Sequence, residues 1–355
     1  MKLIHLSDVH LDSNLQTNLD AEKAKKRKAE IVNTFERVID YANDNGATAV
    51  LIAGDLFDTP RITKLTRERV SNLIVNNSHI TFFYVTGNHE EKAFLSGFEN
   101  IPENLKTFSG TWQKYNFNGV TITGASQDTP LVYDALNLNE NDVNIVMLHG
   151  QTVKHAGTSG AETISLTSLA NKNINYLALG HIHYYVSGTL DKRGVYAYSG
   201  CLEGRGYDEC GKKGFVLITV ENGKLVHDFI PFAKRTVHEV EVNLSSHLTW
   251  QSVESEVLDK LSKISASDMV KITLTGKYDK DLKKNVELLN AKLDGKFYAF
   301  KIKDESIMKI AEKDLESDLS LRGEFLRQVL RSKLTEEEKE GAIVYGLKAL
   351  DGEDL

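Results

Sequence analysis

Cysteine is nearly absent from these 355 residues, and the two that occur, Cys201 and Cys210, are nine apart, in neither a CxxC nor a zinc-finger spacing. That spacing points away from a thiolate metal site and reads as a reduced, structural pair in a cytoplasmic protein. No apolar run approaches the roughly 18 residues of a membrane span. The first residues lead straight into a strand-like segment, so neither secretion nor anchoring is expected. Internal repeats and low-complexity segments are missing as well. So is a surplus of basic charge: 43 Lys and Arg stand against 50 Asp and Glu, a net charge of −7, whereas nucleic-acid-binding proteins usually present a basic face. The imbalance is uneven, because residues 1–235 hold 24 basic against 26 acidic side chains and the remaining 120 hold 19 against 24. Acidity belongs mainly to the tail.

With 41% hydrophobic residues the chain can bury a large core and is long enough for more than one domain. Its most informative residues lie in five short clusters: LSDVH (Leu6 to His10), AGDLFD (Ala53 to Asp58), TGNHE (Thr86 to Glu90), LHG (Leu148 to Gly150) and LGHIH (Leu179 to His183). Each follows an apolar run that reads as a buried strand, namely Lys2 to Leu6, Ala49 to Ala53, Thr81 to Val85, Val143 to Leu148 and Tyr176 to Leu179. Candidate ligands therefore fall at strand carboxyl ends, where open α/β sheets place their sites. Glycines at 54, 87, 150 and 180 permit the sharp turns that let neighbouring side chains converge. Asp8, His10, Asp55, Asn88, His149, His181 and His183 supply a mixed oxygen and imidazole shell that suits Mn, Fe or Zn better than Ca or Mg. Asp55, alone on its strand, is the natural bridging carboxylate. Two ions about 3.5–4 Å apart can activate a water and clamp both the attacking and leaving oxygens of a phosphoryl group.

The five clusters resemble those of the calcineurin-like metallophosphoesterase superfamily, and their context is similar to its DNA-repair exonuclease branch, the SbcD-type nucleases and YhaO-like proteins. Two further stretches share that likeness, YSGCLEGRGYDECGKKGF (Tyr198 to Phe215) and LRGEFLRQVL (Leu321 to Leu330). The resemblance implies a four-layered αββα sandwich and two divalent ions, most naturally Mn. One ion would take Asp8, His10, Asp55 and His183, and the other Asp55, Asn88, His149 and His181, with His89 protonating the leaving oxygen. Archaeal and eukaryotic nucleases of this family carry a histidine three residues after the bridging aspartate, where this chain has Asp58. Asp58 and Asp12 read as local turn or capping residues. His5, His79, His155, His227, His238 and His247 lie outside the clusters and read as structural or solvated.

Two basic stretches are candidates for the phosphodiester backbone: Lys23, Lys25, Lys26, Arg27 and Lys28, and then Arg61, Lys64, Arg67 and Arg69 beside the bridging aspartate. The first reads as a solvated face, since it opens a helix whose buried stripe is Ile31, Phe35, Val38, Ile39 and Ala42. For the second, Arg61, Lys64 and Arg67 are the expected DNA contacts.

Residues 1–235 alternate strands with helices as one nuclease domain. Residues 236–305 read as a β-α-β-α-β capping domain: strands at Val237–Val242, Met269–Thr275 and Phe297–Ile302, and helices striped by Trp250, Val253, Val257, Leu258, Leu261 and by Leu282, Val286, Leu289, Leu293. Residues 306–355 read as a helical hairpin, with stripes at Leu321, Phe325, Val329, Leu330 and at Ile343, Leu347, Leu350, and with Thr335 and Glu338 spaced as a capping box. The expected whole is a Mn-dependent DNA exonuclease or endonuclease subunit for DNA repair. It would be cytoplasmic, homodimeric, without membrane association, and docked through its hairpin to an SMC-like coiled-coil ATPase of SbcC-like or YhaN-like type. Two alternatives stay open: a phosphoesterase for cyclic nucleotides, phosphoproteins or other small phosphoesters, and a DNA-end scaffold for an ATPase with dispensable nuclease.

Overall fold

The computed structural model describes all residues except 16–18, 59–61, 87–93, 96–97, 99, 127–130, 154–162, 280, 310–318 and 352–355. Two compact units form, one of Met1–His238 with Ser267–Met269, the other of Glu239–Ala266 with Val270–Leu355.

In the first unit the apolar runs are strands. Sheet one has the order β14-β13-β1-β2-β3-β4, built from β1 (Lys2–Leu6), β2 (Ala47–Ala53), β3 (Thr81–Val85), β4 (Leu105–Thr107), β13 (Gly214–Glu221) and β14 (Lys224–Pro231). Sheet two has the order β11-β12-β10-β7-β6-β5, built from β5 (Gln113–Phe117), β6 (Val120–Gly124), β7 (Val143–His149), β10 (Tyr176–Gly180), β11 (Val186–Thr189) and β12 (Val195–Tyr198). Strands β8 (Gln151–Val153) and β9 (Thr163–Ser165) form a separate pair. Each large sheet has a parallel centre, β1 to β4 in one and β6, β7, β10 and β12 in the other, with antiparallel strands outside it. Parallel strands covered on both faces must be apolar throughout; β7 is accordingly buried along its whole length.

The inner faces of the sheets share one core, in which Leu3, Leu51, Phe83 and Val216 meet Ile122, Ile145, Met147 and Tyr176. A long helix, α1 (Ala21–Asn45), begins where Asp20 accepts from the Lys23 amide and ends at Gly46, whose φ of 68° suits glycine. Its expected stripe, Ile31 to Ala42, is buried, each large side chain contributing about 1.5–3 kcal/mol relative to exposure. Helix α2 (Lys64–Asn76) starts at Thr63, and Asp12 accepts there from the Thr63 amide and the Thr66 hydroxyl, both at 2.7 Å. Thr63 is the cap, and Asp12 braces it from 51 positions away instead of acting as a local turn or capping residue. On the outer face of sheet two, Val146, Leu148, Leu177 and Leu179 pack with Leu169 of the short α3 (Leu166–Leu169). The fold class is the layered α/β sandwich that the clusters imply.

The second unit contains a three-stranded sheet, β15-β16-β18, of β15 (Val237–Asn243), β16 (Met269–Thr275) and β18 (Ala299–Asp304), and a small pair of β17 (Lys277–Tyr278) with β19 (Ile307–Met308). Helices α4 (Trp250–Leu261) and α5 (Val286–Leu293) bury Val253, Val257, Leu289 and Leu293 with Val242 and Ile272. At the end, α6 (Leu321–Arg331) and α7 (Glu336–Asp351) pack through Phe325, Leu326, Val329 and Leu330 against Ala342, Ile343 and Leu347. The capping box forms: the Thr335 amide donates to Glu338 at 2.8 Å and the Glu338 amide to Thr335 Oγ1 at 3.3 Å. Much of the two apolar stripes is thereby spent within the hairpin, while Leu321 and Leu350 stay exposed. Among the described residues no helix is long and apolar enough to cross a membrane.

Candidate metal centre

Beyond the last paired residues of β1 and β2 the two loops continue side by side, with the Asp8 amide donating to Gly54 O (3.1 Å), His10 to Asp55 O (3.0 Å) and Leu11 to Leu56 O (2.9 Å). The loops after β7 and β10 do likewise through Gly150 N and Gly180 O at 3.1 Å. Here the sheets approach so closely that a Cβ on Gly180 would overlap the Ala53 carbonyl oxygen, and one on Gly54 would overlap the His149 ring. Only glycine fits these positions. Four candidate ligands have left-handed backbone: Asp8 (φ 51°), His10 (49°), Asp55 (50°) and His181 (106°). Asp and His tolerate this better than most residues, yet each costs about 1–3 kcal/mol. Strain concentrated at four such positions marks a site maintained for something other than stability.

Two groups of side-chain atoms converge, Asp8 with His10 and His183, and Asp8 with Asp55 and His149, the atoms of each lying within 4.8 Å of one another. Asp55 Oδ2 also lies between the groups, 3.7 Å from His10 Nε2 and 3.5 Å from His149 Nε2, which suits a bridging carboxylate. Asp8 is anchored by the Ser7 hydroxyl and by the His181 amide at 3.0 and 3.1 Å. The His181 ring stands perpendicular to that of His149 at 5.5 Å between centroids and belongs to neither converging group. Asn88, His89, Arg61 and His155 lie outside the described residues.

Each converging imidazole is oriented through its far nitrogen. His149 Nδ1 donates to Ala53 O at 2.9 Å, His183 Nδ1 to Glu209 Oε1 at 2.7 Å, and His10 Nδ1 lies 2.9 Å from Asp58 Oδ1. These contacts turn the Nε2 atoms of His10 and His149 toward Asp55, and bring those of His10 and His183 to 3.2 Å from each other. Two buried carboxylates with imidazole nitrogens around them form a donor set that fits a divalent cation. Burial disfavours the charged form of His183, but Glu209 and Asp8 outweigh it and raise its pKa above the ordinary value. Burial would likewise raise Asp58, yet its contact with His10, reinforced by Arg205, holds it below the usual carboxylate range.

Asp58 is therefore more than the turn residue expected from sequence: it contacts a candidate ligand and also accepts from Arg205 Nη1 at 2.9 Å. Arg205, Glu209 and Lys213, whose ammonium donates to His183 O at 2.7 Å, all come from the stretch Tyr198 to Phe215. That stretch stands out in the sequence only by resemblance, with no role attached. Nearby, His181, His183, Tyr184, Glu209, Cys210 and Lys213 line an open cavity of about 400 Å³. Cys201 and Cys210 are not joined in a disulfide, and burial pushes the Cys201 thiol well above its ordinary pKa.

In the first basic stretch Lys23, Lys25 and Lys26 are exposed, as expected of a solvated face, and Arg27 departs from it. Arg27 is fully buried, bonded to Glu203 Oε2 at 2.6 Å and Glu30 Oε2 at 3.2 Å, and cannot meet a phosphodiester. Arg69 is held by Glu36 at 2.6 Å and Asn33 at 2.9 Å. Lys64 is exposed with Glu68 at 3.7 Å, and Arg67 is half-buried.

Residues 1–185 match the family described as calcineurin-like phosphoesterase. The chain is similar to the uncharacterized metallophosphoesterase YhaO of Bacillus subtilis (strain 168), at 26% identity over 307 residues that cover 78% of this chain and 72% of the relative. It is similar to the DNA double-strand break repair protein Mre11 of Sulfolobus acidocaldarius, at 25% over 287 residues, 76% of this chain and 72% of the relative. It is also similar to a component of the nuclease SbcCD of Escherichia coli (strain K12), at 24% over 277 residues, 63% of this chain and 66% of the relative.

Proposed function

Because the chain belongs to the calcineurin-like phosphoesterase family, a family of metal-dependent phosphoesterases, we propose that it is a manganese-dependent DNA exonuclease or endonuclease subunit that works in DNA repair with an SMC-like coiled-coil ATPase. The observation that carries this reading is the convergence of Asp8, His10 and His183 with Asp55 and His149 at the carboxyl ends of β1, β2, β7 and β10. Asp8, His10, Asp55 and His183 hold one ion; Asp55, Asn88, His149 and His181 hold the other. Bound there, a pair of divalent ions supplies Lewis acidity to a phosphoryl group and lowers the pKa of an attacking water. His89 gives its proton to the leaving oxygen, and Arg61, Lys64 and Arg67 meet the phosphodiester backbone. The relatives named for double-strand break repair and as part of a nuclease support DNA as the substrate.

Residues 236–305 serve as a capping domain that helps select the nucleic acid, and the hairpin docks the ATPase through the apolar side chains it leaves exposed, Leu321, Tyr345 and Leu350. The protein works in the cytoplasm as a homodimer. Purified protein with Mn should cleave linear duplex DNA, with circular single strands and para-nitrophenyl phosphoesters as comparison substrates. Turnover of the phosphoesters with no DNA cleavage would replace the nuclease by a small-molecule phosphoesterase. Deleting residues 306–355 should abolish association with a co-expressed ATPase and leave cleavage of short DNA intact.

A further inference from the structure

The geometry points to Arg205 as a positioning residue that locks the two imidazoles of one metal subsite, that of Asp8, His10 and His183, while leaving the other subsite to be held without it. Arg205 lies between β12 and β13, far along the chain from every candidate ligand except His181 and His183. Its guanidinium reaches in two directions. Nη1 donates to Asp58 Oδ1 at 2.9 Å, and Nη2 and Nε donate to Glu209 Oε1 at 2.7 and 3.1 Å. The Arg205 amide adds a bond to Glu209 Oε2 at 2.7 Å, and Nη1 lies 3.4 Å from Ser13 Oγ.

Those two carboxylates are the ones that face His10 Nδ1, at 2.9 Å, and His183 Nδ1, at 2.7 Å. One planar cation therefore holds both carboxylates, and its Nη2 also lies 3.2 Å from His183 Nδ1, while the carboxylates face the two rings whose Nε2 atoms stand 3.2 Å apart. A guanidinium suits this task because its donors are fixed in a plane and stay charged, whereas an ammonium would satisfy one carboxylate at a time. His149, in the other group, is oriented differently, by the Ala53 carbonyl at 2.9 Å. The two sides are thus asymmetric, with a carboxylate–imidazole clasp on one and a backbone carbonyl on the other. Asp58 occupies the position where other branches of the family carry a second histidine, and here it is committed to the clasp.

The inference rests on the metal assignments proposed above. Its test is a Mn titration of the full-length, chelator-stripped protein by calorimetry, with metal content and the thermal midpoint of the metal-free protein measured in parallel. Wild type should bind two ions. Arg205→Met should weaken one of them about 10–100-fold, the usual effect of losing a group that orients a ligand, and leave the other unchanged. Arg205→Lys should fall between Met and wild type, and adding Glu209→Gln to Arg205→Met should weaken that ion little further. Two unchanged affinities in folded Arg205→Met would overturn the inference, as would equal weakening of both together with a lowered midpoint, since that pattern belongs to a general structural role. If Arg205→Met does not fold, Asp58→Asn decides: it should weaken the same single ion, and no change overturns the clasp. Two ions bound by wild type with no DNA cleavage would overturn the nuclease reading alone. No ion bound by wild type would overturn both.

Discussion

Arg27, Glu30, Glu203 and Arg235 are as deeply buried as Asp8, His10, Asp55 and His149, none being more than 7% exposed, but the two clusters resolve burial in opposite ways. In the first, every carboxylate meets a guanidinium: Glu203 faces Arg27 at 2.6 Å, and Glu30 takes both Nε and Nη2 of Arg235 at 2.8 and 2.6 Å. Thr34 and the Lys234 amide complete Glu203, each at 2.6 Å. Burial would raise Glu30, but Arg235, then Arg27, hold its pKa below the ordinary value. In the second cluster, carboxylates meet imidazole nitrogens on strained backbone. The first cluster neutralises its carboxylates with guanidinium groups of the same chain, and the second presents the donor set of a divalent cation. Burial and charge alone do not identify a site; the kind of partner each charge meets does.

The sharpest way to break the comparison is Asp55→Asn. It should remove both ions and all hydrolysis while leaving the metal-free protein at least as stable as before, because it removes one of two neighbouring buried carboxylate charges. Metal analysis finding two equivalents in that variant would end the assignment of Asp55 as bridge. Next in size is His89→Ala, which should retain both ions and DNA affinity while turnover falls roughly 10²- to 10⁴-fold; metal lost in step with activity would make His89 a ligand.

Arg27→Met acts on the first cluster, where it strands Glu203. Urea unfolding should show a loss of about 3–5 kcal/mol, with Mn affinity of the folded fraction intact; a change below about 1 kcal/mol would mean that the cluster contributes nothing net. The smallest effect sharpens the comparison with a third solution, neutrality. His5 is wholly buried with Nδ1 2.9 Å from the Tyr176 hydroxyl, and burial lowers its pKa from 6.5 to about 3. Between those values the unfolded chain binds a proton that the folded chain refuses, so stability falls as pH drops below 6.5, by up to about 1.4 kcal/mol per pH unit. Denaturation of wild type and His5→Leu at pH 7 and pH 5 should show a shallower dependence in the variant; equal slopes would place the titration elsewhere.

The convergence of Asp8, His10, Asp55, His149 and His183 is legible in the sequence because each lies within a few residues of an apolar strand, and strand, glycine and side chain are local features. The same holds for the α1 stripe, the β-α-β-α-β order of the second unit and the Thr335–Glu338 box. Arg27 reads as a solvated cation although a signal to the contrary is present: with Ala24 and Ile31 it falls at helical spacing on the buried face. Arg205, Asp58 and Glu209 carry no such signal, since Arg205 meets Asp58 across 147 positions, just as Glu203 meets Arg27 across 176. The C-terminal stripes are visible as apolar faces, but a stripe does not say what covers it, and here the two helices largely cover each other.

By itself, then, the sequence determined which segments are strands and helices, where their carboxyl ends bear carboxylates and imidazoles, and which family the chain resembles, because these follow from periodicity and short spacing. Only the tertiary structure decided which imidazole nitrogen faces the candidate metal site, which carboxylate orients it, and which buried charges close on each other. Those choices depend on pairs far apart in the chain, brought into hydrogen-bond reach by the packing of two sheets.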